Sequence, residues 1–275
     1  MKEQLLELTR QAATPALAVN LAREYLQARI LLALQEAGAM IPLAFQGGTA
    51  LRFLFDVPRF SEDLDFALER PGRRGFDLES FEERVIARLE REGYEVATAR
   101  RTDRVVQSIM AAFPGLLHEA GLSARASQRV NIRIEVDTKP PAGAGLETTI
   151  VRRHALLNIQ HHDRPSLLAG KLHAILQRKW AKGRDLFDLF WYLSDPRWPG
   201  PNLALLNNAL QQTGWKGRAL DAASWSATVR DRIEALDWSA AERDVAPFLE
   251  PGPAVALFGK ESLLQVLDSA GRRRS

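Results

Sequence analysis

Cysteine is absent from all 275 residues. That excludes disulfides and thiolate metal ligands, and it fits a reducing compartment. Runs long enough to cross a membrane are also absent. The most apolar stretch, ILLALQEAGAMIPLAF, is broken by Gln35, Glu36 and Gly38. The opening MKEQLLELTRQ is charged from the start and lacks the apolar core of a signal peptide. A cytoplasmic location with no membrane partner is the expectation. The chain has no internal repeat, no low-complexity tract, and no Ser-His-Asp or Cys-His arrangement of the kind hydrolases use. Charge of one sign is not in large excess: 37 Lys and Arg against 34 Asp and Glu leave a net +3. The excess gathers at Arg100-Arg101-Arg104, Arg152-Arg153, Arg178-Lys179-Lys182-Arg184 and Arg272-Arg273-Arg274. Such clusters can neutralise phosphates, and solvated helix faces look the same.

What is present is ordinary for a soluble protein: 46% apolar and 26% charged residues, in a length that suits one large or two small domains. Residues 3–36 carry apolar residues at helical spacing. IPLAFQ (41–46) is a short strand stopped by Gly47-Gly48, Thr49 begins a helix to about Phe55, and DVPRF is a loop. DLDFAL (63–68) is a second strand, and 77–93 an amphipathic helix capped by Asp77 and stopped by Gly93. YEVATAR, VVQSIMAAF and RVNIRIEVDT (129–138) alternate as strands do, and PPAGAG (140–145) is a loop. From Ser166 helical periodicity takes over. The spacing therefore predicts an α+β chain, with an α/β-type N-terminal part (1–160) followed by an all-helical part (161–275).

The acidic residues of the N-terminal part are unusual. Asp63 and Asp65, two apart in a strand, project from one face while Leu64 and Phe66 enter the core. In NIRIEVDT the same alternation puts Asn131, Arg133, Glu135 and Asp137 on one face and Ile132, Ile134 and Val136 on the other. If the two strands are neighbours, three or four carboxylates converge. At about 4 Å and an effective dielectric near 20, each like-charged pair repels by roughly 4 kcal/mol. The cluster then needs protons, a basic partner or a divalent cation. Oxygen ligands without cysteine suit Mg²⁺ or Mn²⁺ better than zinc. A polar strand face in water would give the same D-x-D. The glycines add a second observation: a strand ending in Gly47-Gly48-Thr49 and feeding a helix offers close backbone approach, free N–H groups and a hydroxyl to an anion. A phosphate site beside a carboxylate pair suits nucleoside triphosphate chemistry.

Taken together, GGTALR, RFSEDLDF, IRIEV, GKLHAIL, GRDLFDL and RDVAPFL resemble the AbiEii/AbiGii group, over residues 25 to 250. That group belongs to the DNA-polymerase-beta-type nucleotidyltransferase superfamily and includes MenT-like toxins of type IV-like toxin–antitoxin systems. The resemblance implies a nucleotidyltransferase domain with a mixed sheet, and a helical domain completing the nucleotide and acceptor cleft. It implies that Gly48 and Thr49 hold the triphosphate, with Gly47 allowing the turn. It implies that Asp63 and Asp65 ligate the metals and that Glu135 is the third carboxylate, with Asp137 the competing choice. Arg59 and Ser61, in the same run as the aspartates, are given no more than a loop-shaping role.

Lys171 is the second anomaly. On a helix its neighbours at i−4, i−3, i+3 and i+4 are Leu167, Leu168, Ala174 and Ile175, so an ammonium emerges from an apolar stripe. It needs an anion or a route to water. The resemblance supplies the nucleotide phosphates as that anion. Arg184 and Asp188, at i and i+4, read as a surface ion pair. The resemblance instead makes Arg184, Asp185 and Asp188 site candidates, Asp185 foremost, while Asp244 reads as a structural cap. His161, His162 and Asp163 read as surface loop residues, and His173 as packed.

The function implied is metal-dependent transfer of a nucleoside monophosphate from an NTP to an acceptor hydroxyl, the 3′ end of tRNA, by a toxin with a cognate antitoxin. Transfer to a protein hydroxyl, phosphoryl transfer by the same site, and a non-catalytic nucleotide-binding module remain alternatives at this stage.

Overall fold

The computed structural model of the chain describes residues 1–69, 76–180 and 182–272. Of the basic tail, Arg273 and Arg274 lie outside the described residues. The chain opens with α1 (Lys2–Arg10) and α2 (Pro15–Glu36), then β1 (Leu43–Gln46), α3 (Gly47–Phe55), β2 (Leu64–Leu68) and α4 (Leu78–Arg91). Next come β3 (Ala97–Arg101), β4 (Val106–Phe113), α5 (Leu116–Glu119), β5 (Val130–Asp137), β6 (Leu146–Arg153) and β7 (Ala155–His162). The rest is helical: α6 (Arg164–Gln177), α7 (Gly183–Ser194), α8 (Leu203–Gln212), α9 (Trp225–Glu234), α10 (Trp238–Val245), α11 (Pro253–Ala256) and α12 (Lys260–Arg272).

The seven strands form one mixed sheet in the order β3-β4-β5-β2-β1-β7-β6. β2 runs antiparallel to β1 and parallel to β5, while β4 is antiparallel to both β3 and β5. The α+β class expected from the sequence is what the structure has. The chain divides into two compact units: Met1–Leu54, Phe60–Pro140 and Thr148–His161 in the first, and Phe55–Arg59, Pro141–Glu147 and His162–Ser275 in the second.

Two local readings need correction. The helix expected over 3–36 breaks after Arg10 and restarts at Pro15. Thr14 caps the new helix by accepting the Leu17 N–H at 3.2 Å, and Pro15 stands at the start, where a missing N–H costs nothing. Residues 146–162, to which the sequence reading assigns no strand, form β6 and β7. His154 makes the turn between them at φ +56°, a conformation uncommon outside glycine for which asparagine, aspartate and histidine are enriched.

In the first unit, Leu64, Phe66, Ile132, Ile134 and Val136 are buried as the alternation predicts. The unit also buries a charge. Glu24 on α2, only 3% exposed, meets Arg52 from α3, Arg153 from β6 and His154 from the turn. Burial alone would raise its pKa; the hydrogen bond with His154 and the charges of Arg52 and Arg153 outweigh that and bring it from 4.5 to about 2. A depressed carboxylate stabilises the fold above its ordinary pKa, and the contribution disappears as pH falls through the folded value. Acid unfolding should therefore expose Glu24 between pH 4.5 and about 2. Glu24→Gln should cost about 3 kcal/mol at neutral pH, read from urea unfolding, because it removes the charge facing buried Arg52 and half-buried Arg153. An unchanged urea midpoint for the variant would show that the network adds nothing.

In the second unit, Leu172, Leu189, Leu206, Val229, Ile233, Leu263 and Leu267 are fully buried in one core. α7 packs against α6, α10 and α12 there.

Candidate active site

The acidic residues of the first unit come together through strand register. β2 and β5 are parallel neighbours with Asp65 opposite Glu135, so both side chains leave the same face of the sheet. On the other side, β1 pairs Gln46 with Asp65, and the chain then turns into α3 at Gly47. Gly47 has φ +78°, and a Cβ there would lie 2.3 Å from Asp65 Oδ2. Only glycine lets this turn adopt its conformation while the carboxylate lies against it. The helix begins at Gly47 rather than at Thr49 as the sequence suggests, so both glycines and Thr49 form its N-terminal turn. Their N–H groups are among those that no intrahelical carbonyl can satisfy.

Thr49 is fully buried, and its hydroxyl donates to the carbonyl of Asp63. That bond straps the first turn of α3 to the residue just before β2. Asp63 thus lies at the strand's entry rather than inside it. Ser61 accepts a hydrogen bond from Gln27 Nε2 on its carbonyl, 3.1 Å away. Asp137 stands opposite Ala67, two pairs further along β5, and its Oδ1 accepts the Lys139 N–H at 2.9 Å. Burial pushes Asp137 above the usual carboxylate range, opposed by that backbone bond. Glu135 is thus the β5 carboxylate adjoining Asp65, with Arg133 3.4 Å from its Oε1.

Among the described residues, no three His, Asp or Glu side chains are drawn together tightly enough to hold an ion by themselves. The donor set nevertheless suits Mg²⁺, which takes one or two carboxylates and completes its shell with waters and substrate phosphates. Asp65 and Glu135 could supply such a pair, with Asp63 two residues upstream.

The second unit holds a different constellation. Lys171, on α6, places its Nζ 3.1 Å from Asp185 Oδ1 and 2.7 Å from Asp188 Oδ2, both on α7. Asp188 is wholly buried and is also gripped by Arg59, itself 1% exposed, whose Nε donates at 2.6 Å. Arg178 Nε lies 3.4 Å from Asp185 Oδ2. Burial alone would lower the Lys171 pKa, but Asp188 and Asp185 hold it above an ordinary lysine. Burial would likewise raise Asp185; the charges of Lys171, Arg178 and Lys182 hold it below the usual carboxylate range. Burial keeps Lys182 below an ordinary lysine.

Several sequence readings change here. Asp188 is not half of a surface pair with Arg184; it is the buried anion between Arg59 and Lys171. Arg184 turns instead to Asp244, whose Oδ2 accepts its N–H at 3.4 Å, and its guanidinium lies 4.2 Å from the Phe248 ring centre. Asp244 therefore caps the start of α7 from α10. Arg59 does more than shape a loop. The available signal was Asp188 itself, an acid amid Leu186, Phe187, Leu189 and Phe190 that demands a cation. His161 and His162 are buried at the end of β7, not in a surface loop, and His161 Nε2 lies 2.9 Å from Thr149 Oγ1. Asp163 caps α6 through the Ser166 N–H. His173 is packed, as expected, with Nε2 2.9 Å from Thr213 Oγ1 and a pKa lowered by burial. The basic clusters are partly spent internally: Arg100 on Glu79 and Glu82, Arg153 on Glu24, Arg178 on Asp185. No described helix is long and apolar enough to cross a membrane.

Comparison with known proteins adds the family. A family model described as "Nucleotidyl transferase AbiEii toxin, Type IV TA system" matches residues 29–268. No curated protein sequence matches the chain. Among solved structures it is similar to MenT4, a nucleotidyltransferase toxin from Mycobacterium tuberculosis H37Rv, with TM-score 0.58 and 17% identity, covering 99% of this chain and 92% of that one. It is also similar to JHP933 from Helicobacter pylori, with TM-score 0.52 and 16% identity over 92% of this chain and 90% of that one. At such identities the structural likeness speaks for the fold.

Proposed function

The chain belongs to the AbiEii nucleotidyl transferase toxin family, and from that premise we propose that it moves a nucleoside monophosphate from an NTP to the 3′-terminal hydroxyl of tRNA, with Mg²⁺ or Mn²⁺ bound. The observation that carries the reading is the Asp65–Glu135 register beside a glycine turn that opens a helix. It supports a triphosphate held against free N–H groups next to hard oxygen ligands.

In this proposal the N–H groups of Gly47, Gly48 and Thr49 hold phosphate oxygens. Asp63, Asp65 and Glu135 hold the cation, which when bound supplies charge neutralisation and a more acidic acceptor hydroxyl. The acceptor oxygen bonds to the α-phosphorus, the bond from that phosphorus to the bridging oxygen breaks, and pyrophosphate leaves. Glu135, opposite Asp65 in register, is taken as the group for the hydroxyl proton, with Asp137 the alternate. The family resemblance assigns Lys171, whose ammonium Asp185 and Asp188 hold, to the nucleotide phosphates. Asp185 positions that ammonium, and Arg184 adds positive charge for the nucleotide. As a family toxin, the protein works in the cytoplasm and has a cognate antitoxin as partner.

The test is incubation of purified protein and Mg²⁺ with total tRNA and each α-labelled NTP in turn. The proposal predicts label in tRNA from at least one NTP, lost on Lys171→Ala. Label entering only protein from an extract would move the acceptor from tRNA to a protein hydroxyl and overturn that part of the proposal.

A further inference from the structure

We infer that Trp180, on the loop joining α6 and α7, is a stacking platform for an unpaired nucleobase of the acceptor strand. The inference rests on the proposed tRNA reading for the identity of that strand.

Trp180 is 69% exposed, more than any other large apolar side chain among the described residues. The other five tryptophans are all engaged. Trp225 is buried, Trp191 and Trp198 pack edge to face, Trp238 meets Phe258, and Trp215 lies against the helical core. Trp180 alone is turned to water. Single exposed apolar residues are common, so exposure is only the first observation.

The second observation is the company it keeps. Arg178, Lys179, Lys182 and Arg184 flank it in sequence, Arg178 also paired with Asp185 and Arg184 with Asp244, and no large apolar residue accompanies it there. A protein partner would want an apolar patch around such an anchor. An indole among cations instead matches single-stranded nucleic acid, where each base offers a π-face and each phosphate a charge.

The third observation is that the loop is tied down at its base. Arg232 donates from Nε to the Ile175 carbonyl at 3.2 Å and from Nη2 to the Arg178 carbonyl, and Arg178 also reaches Asp185. Arg178, two residues before the indole, is thus held in place. The same loop joins the helix carrying Lys171 to the helix carrying Asp185. An unstacked 3′ end is the form in which RNA bases are commonly read, by aromatic stacking.

The experiment compares wild type, Trp180→Ala and Trp180→Phe at one salt concentration. Fluorescence anisotropy measures binding to an unpaired RNA pentanucleotide and to a blunt RNA duplex, and the tRNA labelling reaction gives kcat and KM. Loss of one stacked base should weaken single-strand binding of Trp180→Ala by about tenfold, within a range of roughly 5–150-fold, with duplex binding little changed. Trp180→Phe should keep most of the affinity, and the alanine variant should raise the KM for tRNA while leaving the KM for NTP alone. Thermal unfolding should be the same for all three, since the side chain is exposed. Equal single-strand binding by wild type and Trp180→Ala overturns the inference, and so does an absence of RNA binding by wild type. If wild type labels tRNA and the alanine variant matches it in KM, this inference falls and the tRNA reading stands. If wild type labels no tRNA yet Trp180→Ala loses single-strand binding, the platform stands and the tRNA reading falls.

Discussion

Asp65→Asn should reduce nucleotidyl transfer by about three orders of magnitude, at the upper end of the cost of removing one preorganised charge-stabilising group from a reacting centre. The expectation comes from position. Asp65 is the residue at which the β1–β2 pair, the β2–β5 pair and the turn into α3 meet: Gln46 lies opposite it on one side, Glu135 on the other, and Gly47 against its carboxylate. Asparagine keeps the shape and removes the charge, so the strand should survive. Toxicity on expression should vanish with transfer. Gly47→Ala gives an independent check. Its Cβ would collide with Asp65 Oδ2 at 2.3 Å in a backbone conformation at φ +78° that alanine resists, so it should lower activity by displacing the same carboxylate. An Asp65→Asn protein that retains a tenth or more of wild-type transfer would place the chemistry elsewhere.

The second large effect falls on stability. Asp188→Asn should cost about 3–5 kcal/mol, the range for removing one partner of a buried ion pair. Asp188 is 0% exposed and Arg59 1%, so the Arg59 guanidinium cannot turn to water without local unfolding. Asparagine removes the Asp188 charge from both Arg59 and Lys171. An exposed pair such as Asp195 with Arg197 offers the contrast: breaking it should not move the urea midpoint measurably. If Asp188→Asn unfolds at the wild-type urea concentration, the buried pair is not holding the helical unit together. Transfer should also fall in this variant, since Lys171 loses one of its two anchors.

The legible parts of this molecule are those where one residue type has a single physical use. Gly47 marks a turn because nothing with a Cβ could sit against Asp65. The alternation of Leu64 with Asp65 and of Ile134 with Glu135 marks strands with one polar face, and it correctly sets both acids on the same side of the sheet. The family resemblance, drawn from short motifs in order, agrees with the family match over residues 29–268. What stayed hidden had weaker or contrary local signals. β6 and β7 meet at Arg153-His154, a turn with no glycine, asparagine or proline, and β6 lies at the sheet edge with mostly exposed residues. Nothing local separates such a segment from a loop. The break between α1 and α2 was written in Thr14-Pro15 and masked by helical periodicity on both sides. Arg59 and Asp188 are 129 residues apart, and spacing along a chain carries no information about a pair that only the tertiary fold creates. Arg59 therefore reads as a loop residue, and Asp188, by spacing alone, as half of a surface pair.

The central claim, that a nucleoside monophosphate and not a phosphoryl group is transferred, is tested most directly by the position of the label. Purified protein, Mg²⁺ and total tRNA would be incubated in parallel with α-labelled and γ-labelled NTP, beside Asp65→Asn as the control. The account predicts α-label in the acceptor, γ-label released as pyrophosphate, and neither event in the variant. γ-Label in the acceptor with α-label remaining on free nucleotide would contradict it and make the same carboxylates serve phosphoryl transfer.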